Sequence, residues 1–227
     1  MSKCDQCIVR EFSSLKTLTK DEILHMAECK TSRTIRKGEV IFEEGESVNG
    51  VYCVKEGVCK LTKLSPNGKD QIVKLVRKGE LLGQRSMISE EPANLSAVAL
   101  EDMMVCFIPK SEIMMFFNQN SKFSMSLTRS LCSDLRDADD LMVNMAQKSV
   151  KQRLAHTLLY LSDTFGTVGD GSLKLQLSRD EMASIIGTAT ESCIRLLSDL
   201  NKSGLIALDG KKITLMDHQA LLRLSGD

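Results

Sequence analysis

From about Thr31 to Pro109 the apolar positions fall in short runs: Val51 to Val54, Val58 to Leu64, Gln71 to Val76, Ser96 to Leu100 and Met104 to Ile108. Glycines cut between them at Lys37-Gly38, Glu44-Gly45, Glu56-Gly57, Asn67-Gly68, Lys78-Gly79 and Gly83. Runs of this length predict strands rather than helices, and Asn67-Gly68 is a strong hairpin signal. The segment therefore reads as a compact antiparallel barrel or two-layered roll. After Pro109 the period changes. Ser111 to Asn118 reads as a short helix, and Ser121 to about Gln147 as a long one free of glycine and proline. Along the long helix Leu127, Leu131, Leu135, Ala138, Met142 and Met145 make a heptad-like seam. Such a stripe either pairs with a copy of itself or packs on its own roll.

A second helical unit starts near Val150, where Leu154, Thr157, Leu158 and Leu161 share one face, and Gly166 to Gly171 forms a polar loop. Ser178 with Glu181 three residues later is a capping-box signature, and Met182, Ile185 and Ile186 bury the face behind it. Gly187 then supplies a left-handed stop. Thr190 is placed to cap a second helix that runs to about Asn201 and closes at Gly204. Two short helices about a glycine turn make a helix-turn-helix. Leu205 to Leu208 and Lys212 to Met216, around the turn Asp209-Gly210, add a wing.

Turning the second helix by about 100° per residue separates two faces. Cys193, Leu196, Leu197 and Leu200 share the core side, while Glu191, Ser192, Arg195 and Asp199 face away. An arginine can bond guanine O6 and N7 in a bidentate pair, and a glutamate can accept from cytosine N4, so Glu191 and Arg195 suit a G·C step in a major groove. They also sit in the helix's first half, the part that enters a groove. The bland alternative is an i, i+4 salt bridge on a solvated face. Arg179, Lys202, Lys211 and Lys212 fall at element ends, where phosphates would be met.

Composition narrows the class. A length of 227 residues predicts two modest domains, with a boundary near Ser149. Hydrophobic residues at 42% and charged residues at 26% exclude a disordered chain. Thirty basic and thirty acidic residues cancel, so any attraction to nucleic acid must be local. Eight cysteines scattered through apolar stretches read as thiols of a cytoplasmic protein, and only Cys4 and Cys7 have a spacing with chemical meaning. The apolar stretches are too short for a membrane span, and Met1 to Phe12 lacks the apolar core of a signal peptide. No nucleophile-base constellation, Walker motif or histidine-rich metal spacing marks an enzyme.

The stretch Ile35 to Gly45, the strand-turn Val54-Lys55-Glu56-Gly57, the loop Lys78 to Gly83 and the reading unit Leu177 to Ile206 with Thr190-Glu191-Ser192-Cys193-Ile194-Arg195 together resemble the Crp/Fnr family of bacterial transcription regulators. The resemblance covers nearly the whole chain. It implies an α+β chain with three parts: an N-terminal antiparallel β-roll of the cyclic-nucleotide-binding type over residues 1–120, a dimerisation helix over 121–148, and a C-terminal winged helix-turn-helix over 149–227. It further implies a homodimer on an inverted repeat of double-stranded DNA, with Glu191 and Arg195 on a G·C pair of each half-site and RNA polymerase as partner of an activator. Thr190, Ser192, Ile194, Arg179 and Lys202 complete the expected DNA-binding set. Ile194 stands where the Fnr branch usually has serine, and it could meet a thymine methyl.

The same resemblance outlines an effector pocket at Gly83, Gln84, Arg85 and Ser96. Cyclic-AMP-responsive members carry a glutamate after the glycine and an Arg-Ser pair for the phosphate. Here Gln84 and Asn94-Leu95-Ser96 stand in those places, so cyclic AMP is not the expected effector. In the oxygen-sensing Fnr branch four cysteines hold a 4Fe-4S cluster. Cys4, Cys7 and Cys106 match three of them, while the remaining position falls at Ser13, with Cys29 or a carboxylate as the alternative source of the fourth bond. An iron-sulfur cluster, an N-terminal dithiol or zinc site, and inert cysteines stay open as readings. Cys53, Cys59 and Cys193 read as core. The rival to a DNA-binding regulator is a cyclic-nucleotide-binding-like signalling module whose helix-turn-helix is a protein-contact surface.

Overall fold

A computed structural model of the chain describes Glu11, Ser13 to Pro66 and Gly68 to Gly226. The chain forms two compact units that divide between Asp137 and Ala138, within its longest helix.

In the first unit a 3-10 turn at Ser14–Thr17 leads into α1 (Lys20–Cys29). The elements that follow in the first unit are β1 (Thr31–Ile35), β2 (Val40–Phe42), β3 (Gly50–Glu56), β4 (Cys59–Leu64), β5 (Asp70–Val76), β6 (Leu81–Leu82), α2 (Gln84–Ser89), β7 (Ser96–Ala99), β8 (Met103–Pro109), α3 (Lys110–Gln119) and α4 (Ser121–Gln147). The strands make two four-stranded antiparallel sheets, ordered β1-β8-β3-β6 and β2-β7-β4-β5. The expected runs are all strands, and β4 pairs with β5 across the anticipated hairpin, Leu64 opposite Asp70.

Strand β3 shows how the roll is built. Successive side chains point to opposite faces, so Val54 joins the core between the sheets with Cys59, Val76 and Val105, while Val51 and Cys53 face a second core. That second core is filled by Ile23 and Met26 of α1, Ile113 and Phe116 of α3, and Phe123 and Leu127 of α4. A strand buried on both faces loses its polar alternation, which is why the sequence there reads as a continuous apolar run. Gly57 closes the β3–β4 turn at φ +88°, where a Cβ would meet the Asp102 carbonyl at 2.7 Å.

The root of α4 corrects the seam. Leu127 is fully buried in the roll, whereas Leu135 and Met142 are 63% and 65% exposed. Packing on the roll holds for the stretch at Leu127, while Leu135 and Met142 stay open, because helical periodicity marks an apolar face without saying what covers it. Asn120 caps α4, its Oδ1 accepting from the Lys122 and Phe123 N–H groups. Farther along, Asp134 accepts from Lys74 of β5 at 2.6 Å. The Lys74 ammonium is disfavoured by burial, but Glu80, Asp134 and Asp137 around it win and raise its pKa.

The second unit contains the end of α4, then α5 (Val150–Phe165), α6 (Arg179–Ile186), α7 (Thr190–Lys202), β9 (Ile206–Asp209), β10 (Lys212–Leu215) and α8 (His218–Ser225). Ser149 opens α5 with a capping box to Gln152. Leu154, Leu158, Leu161, Met182, Ile186, Cys193, Leu197, Leu200 and Leu221 are nearly inaccessible to solvent. The terminal helix α8, which the sequence reading left out, packs on α5 and starts at Asp217, whose carboxylate caps it. Among the described residues no helix is long and apolar enough to cross a membrane.

Candidate nucleic-acid interface

Helix α6 opens as its sequence requires, with the Ser178 hydroxyl accepting from Glu181 N–H and the Glu181 carboxylate accepting from Ser178 N–H. It stops at Gly187, whose φ of 64° lies in the left-handed region. One expectation needs correction: Thr190 does not cap α7. The cap position is Ala189, with no side-chain bond, and Thr190 is the first helical residue. Its hydroxyl instead donates to Asp180 at 2.6 Å, tying the start of α7 to α6 across the turn. A carboxylate within reach outcompetes the local backbone because a charge-assisted bond is the stronger one.

On α7 the burial follows the helical wheel. Cys193, Leu197 and Leu200 are buried, Leu196 and Ser192 are half-buried, and Glu191, Arg195 and Asp199 are exposed. Ile194 borders the open face at 49% exposure. Glu191 and Arg195 make no hydrogen bond or ion pair among the described residues, so the i, i+4 salt bridge does not form. Two charged groups thus stand outward on one face of a helix anchored by the opposite face. Burial pushes the Cys193 thiol up to about 11, with Arg179 acting the other way, so this sulfur is a protonated core group at neutral pH.

The surrounding cations divide into engaged and free. Arg179 donates to the Gly210 carbonyl at 2.7 Å and so fastens the wing turn to α6. Lys212 pairs with Asp170 at 3.2 Å. Bonds from Ser172 and Lys212 hold the Asp170 carboxyl down at about 2. Lys202 and Lys211 are exposed with no hydrogen bond or ion pair among the described residues. The wing turn itself shifts by one residue from the expected Asp209-Gly210: Asp209 pairs with Lys212, which leaves Gly210 and Lys211 as the loop.

Sequence reasoning missed Arg153. From α5 its Nε donates to the Ile186 carbonyl at 2.8 Å, and its Nη1 donates to the Lys148 and Met145 carbonyls at 2.7 and 3.2 Å. It thereby satisfies carbonyls at the C-terminal ends of both α4 and α6. Only the position of an arginine early in α5, after two helix ends, could have signalled this.

In the first unit Gly83, at φ +85°, precedes α2, with Gln84 and Ser86 buried behind it. The Gln84 Oε1 is buried with no hydrogen-bond partner. Arg85 is exposed and faces Glu91 at 3.7 Å, and the Ser96 hydroxyl accepts from Glu44 N–H at 2.9 Å. Lys63, beside Asn94, is paired with Glu44. Arg85 and Lys63, the cations beside this segment, thus each face a carboxylate.

The residues matched to the iron-sulfur branch are only partly described. Cys4 and Cys7 lie outside the described residues. Cys106 is buried on β8 with Lys30 Nζ and Ser32 Oγ each at 3.7 Å. Ser13, in the remaining ligand position, is a buried cap that accepts from Leu15 N–H at 3.2 Å. Of the matched cysteines, only Cys106 lies among the described residues. Burial also pushes Cys59 up to about 12, and with Cys53 it belongs to the core.

Comparison with known proteins agrees with this architecture. The cyclic nucleotide-binding domain family matches residues 32–120, and the Crp-like helix-turn-helix domain family matches residues 152–224. The transcriptional activator protein Anr of Pseudomonas protegens is 31% identical over 87% of this chain and 81% of its own length. The fumarate and nitrate reduction regulatory protein of Escherichia coli K12 is 26% identical over 98% of this chain and 90% of its own. The structure of FixK2 from Bradyrhizobium japonicum superposes with a TM-score of 0.77 at 27% identity, covering 86% of this chain and 96% of that one. A sensor roll, a long helix and a winged helix-turn-helix, in this order and with these relatives, make the chain a member of the Crp/Fnr family of DNA-binding transcription regulators.

Proposed function

We propose that the chain acts as a homodimeric activator that reads an inverted repeat through α7, with Glu191 and Arg195 on a G·C pair of each half-site. The observation that carries this reading is the unpaired, outward Glu191 and Arg195 on a helix whose other face is sealed. Ser192 and Ile194 flank that pair, Ile194 against a thymine methyl. Lys202 serves the phosphates, and the α7 start at Thr190, with no side-chain cap, leaves N–H groups for another. Arg179 acts one step back, by holding the wing turn. Residues 1–120 are the sensor, 121–148 the dimerisation helix and 149–227 the reading head.

The second copy covers α4 from Leu131 through Leu135, Ala138, Met142 and Met145, a 4-3-4-3 spacing that a coiled coil buries. RNA polymerase is the protein partner at the promoter, the site of action is the cytoplasm, and no residue is assigned a catalytic role. Operator selection from random DNA should return a palindrome. Its affinity should fall linearly in log-log terms with added salt, with a slope near −0.9 for each phosphate neutralised. Selection of no palindrome, with salt-insensitive retention, would favour the protein-contact alternative.

The effector pocket lies at Gly83, Gln84 and Ser96, with Arg85 at its rim. The orphaned Gln84 Oε1 calls for a hydrogen-bond donor on the effector, not a phosphate. A buried acceptor without a partner costs about 1–3 kcal/mol. Gln84→Met, close in volume, should therefore raise the thermal midpoint of the effector-free protein. A lowered midpoint would show that Oε1 is already satisfied.

A further inference from the structure

Helix α1 starts with a complete capping box, the Thr19 hydroxyl accepting from Glu22 N–H and the Glu22 carboxylate from Thr19 N–H. From that start, Ile23 and Met26 turn into the core, and His25 and Cys29, four residues apart, rise together along the flank of that face. Helix α3 buries Ile113 and Phe116 in the same core, which brings Glu112 of its first turn against that side of α1. The His25 Nε2 lies 2.5 Å from Glu112 Oε2 and 3.8 Å from Cys29 Sγ. All three ligand atoms fall within 4.8 Å of one another.

We propose that His25, Cys29 and Glu112 form a zinc site that clips α1 to α3, separate from the cysteines matched to the iron-sulfur branch. One imidazole nitrogen, one thiolate and one carboxylate oxygen are a donor set that suits zinc, with water in the fourth position. A tetrahedral ion with bonds of about 2.0–2.3 Å holds its sulfur and nitrogen about 3.6 Å apart and its nitrogen and oxygen about 3.4 Å apart. The first spacing is close to the one observed, and the second needs Glu112 to swing out from its direct hydrogen bond. Glu112 is 19% and His25 45% exposed at the side chain, so the fourth position opens to solvent.

The scaffold is fixed without the ion. The His25 ring stands edge-on to Phe116, with centroids 6.2 Å apart. Asn120, just past α3, donates to Glu22 Oε2 at 2.8 Å and to the Thr17 carbonyl at 3.2 Å. Binding is a proton exchange: zinc takes the place of the Cys29 thiol proton, which leaves to solvent, while the neutral His25 imidazole ligates through Nε2 with its proton on Nδ1 and Glu112 binds as the carboxylate. Thiolate and carboxylate together then cancel the charge of the ion.

Cobalt(II) titration of metal-free, full-length protein tests the site, in a Cys4→Ser/Cys7→Ser background that removes the competing dithiol. One equivalent should bind, with a sulfur-to-cobalt charge-transfer band and the visible bands of a four-coordinate ion, and zinc should displace it. Cys29→Ser should abolish the charge-transfer band. His25→Ala and Glu112→Gln should weaken binding by more than the roughly 10- to 100-fold typical of losing an outer-shell partner. All three side chains lie at the surface, and circular dichroism of the metal-free variants should match the parent. Absence of the thiolate band in the dithiol-free parent, or its survival in Cys29→Ser, overturns the assignment.

Discussion

Arg195→Ala should cost about 1–3 kcal/mol at each half-site and relax selection at one base pair. On a symmetric operator that is about 2–6 kcal/mol, roughly 30-fold to 20,000-fold in affinity. The size follows from geometry. Arg195 has no partner among the described residues, so no bond within the chain offsets the loss of the proposed bidentate pair. Its α-carbon sits two residues before Leu197, which is 1% exposed, so the truncation leaves the helix anchored and the fold intact. Lys202→Ala should behave differently, weakening all sequences alike and reducing the salt slope by about one. Competition binding on the selected operator and on variants with the G·C pair inverted separates the two. Unchanged affinity and selectivity in Arg195→Ala would remove this arginine from the reading face.

The second large effect lies in the first unit. Phe123 is fully buried where α4 leaves the roll, edge-on to Phe116 with centroids 6.3 Å apart. Phe123→Ala should lower unfolding stability by about 3–5 kcal/mol, the sum of lost transfer energy and the cavity left among Phe116, Ile113 and Leu127. Phe123→Leu should recover most of that loss because it refills the space. Urea unfolding followed by circular dichroism reads both. A loss below about 1 kcal/mol for the alanine variant would mean that the helix root is free to collapse around the gap.

Local signals carried the reading head. Ser178 with Glu181, Gly187 and the wheel of α7 are decided within one or two turns of chain, and the structure reproduces them. Thr190 departed from its expected role because its partner, Asp180, lies ten residues back and across a turn. Leu127 and Leu135 look alike on the helix, yet only the roll's geometry buries one and leaves the other out. Strands β2 and β6, with three and two residues, are too short to show a period. Helix α1 carried its capping box in plain view, but the meaning of His25 and Cys29 depended on Glu112, whose separation of 87 positions from His25 no spacing rule spans.

Arg153 gives the second unit a mechanical property. One guanidinium grips the last carbonyls of α4 and the final turn of α6, so neither helix end can rotate without breaking a charged bond or dragging the other along. Within the second unit the end of α4 and the end of α6 are therefore held as one piece beside the turn at Gly187. Loosening that grip would free the two helix ends to move apart and leave the Ile186 and Lys148 carbonyls to water.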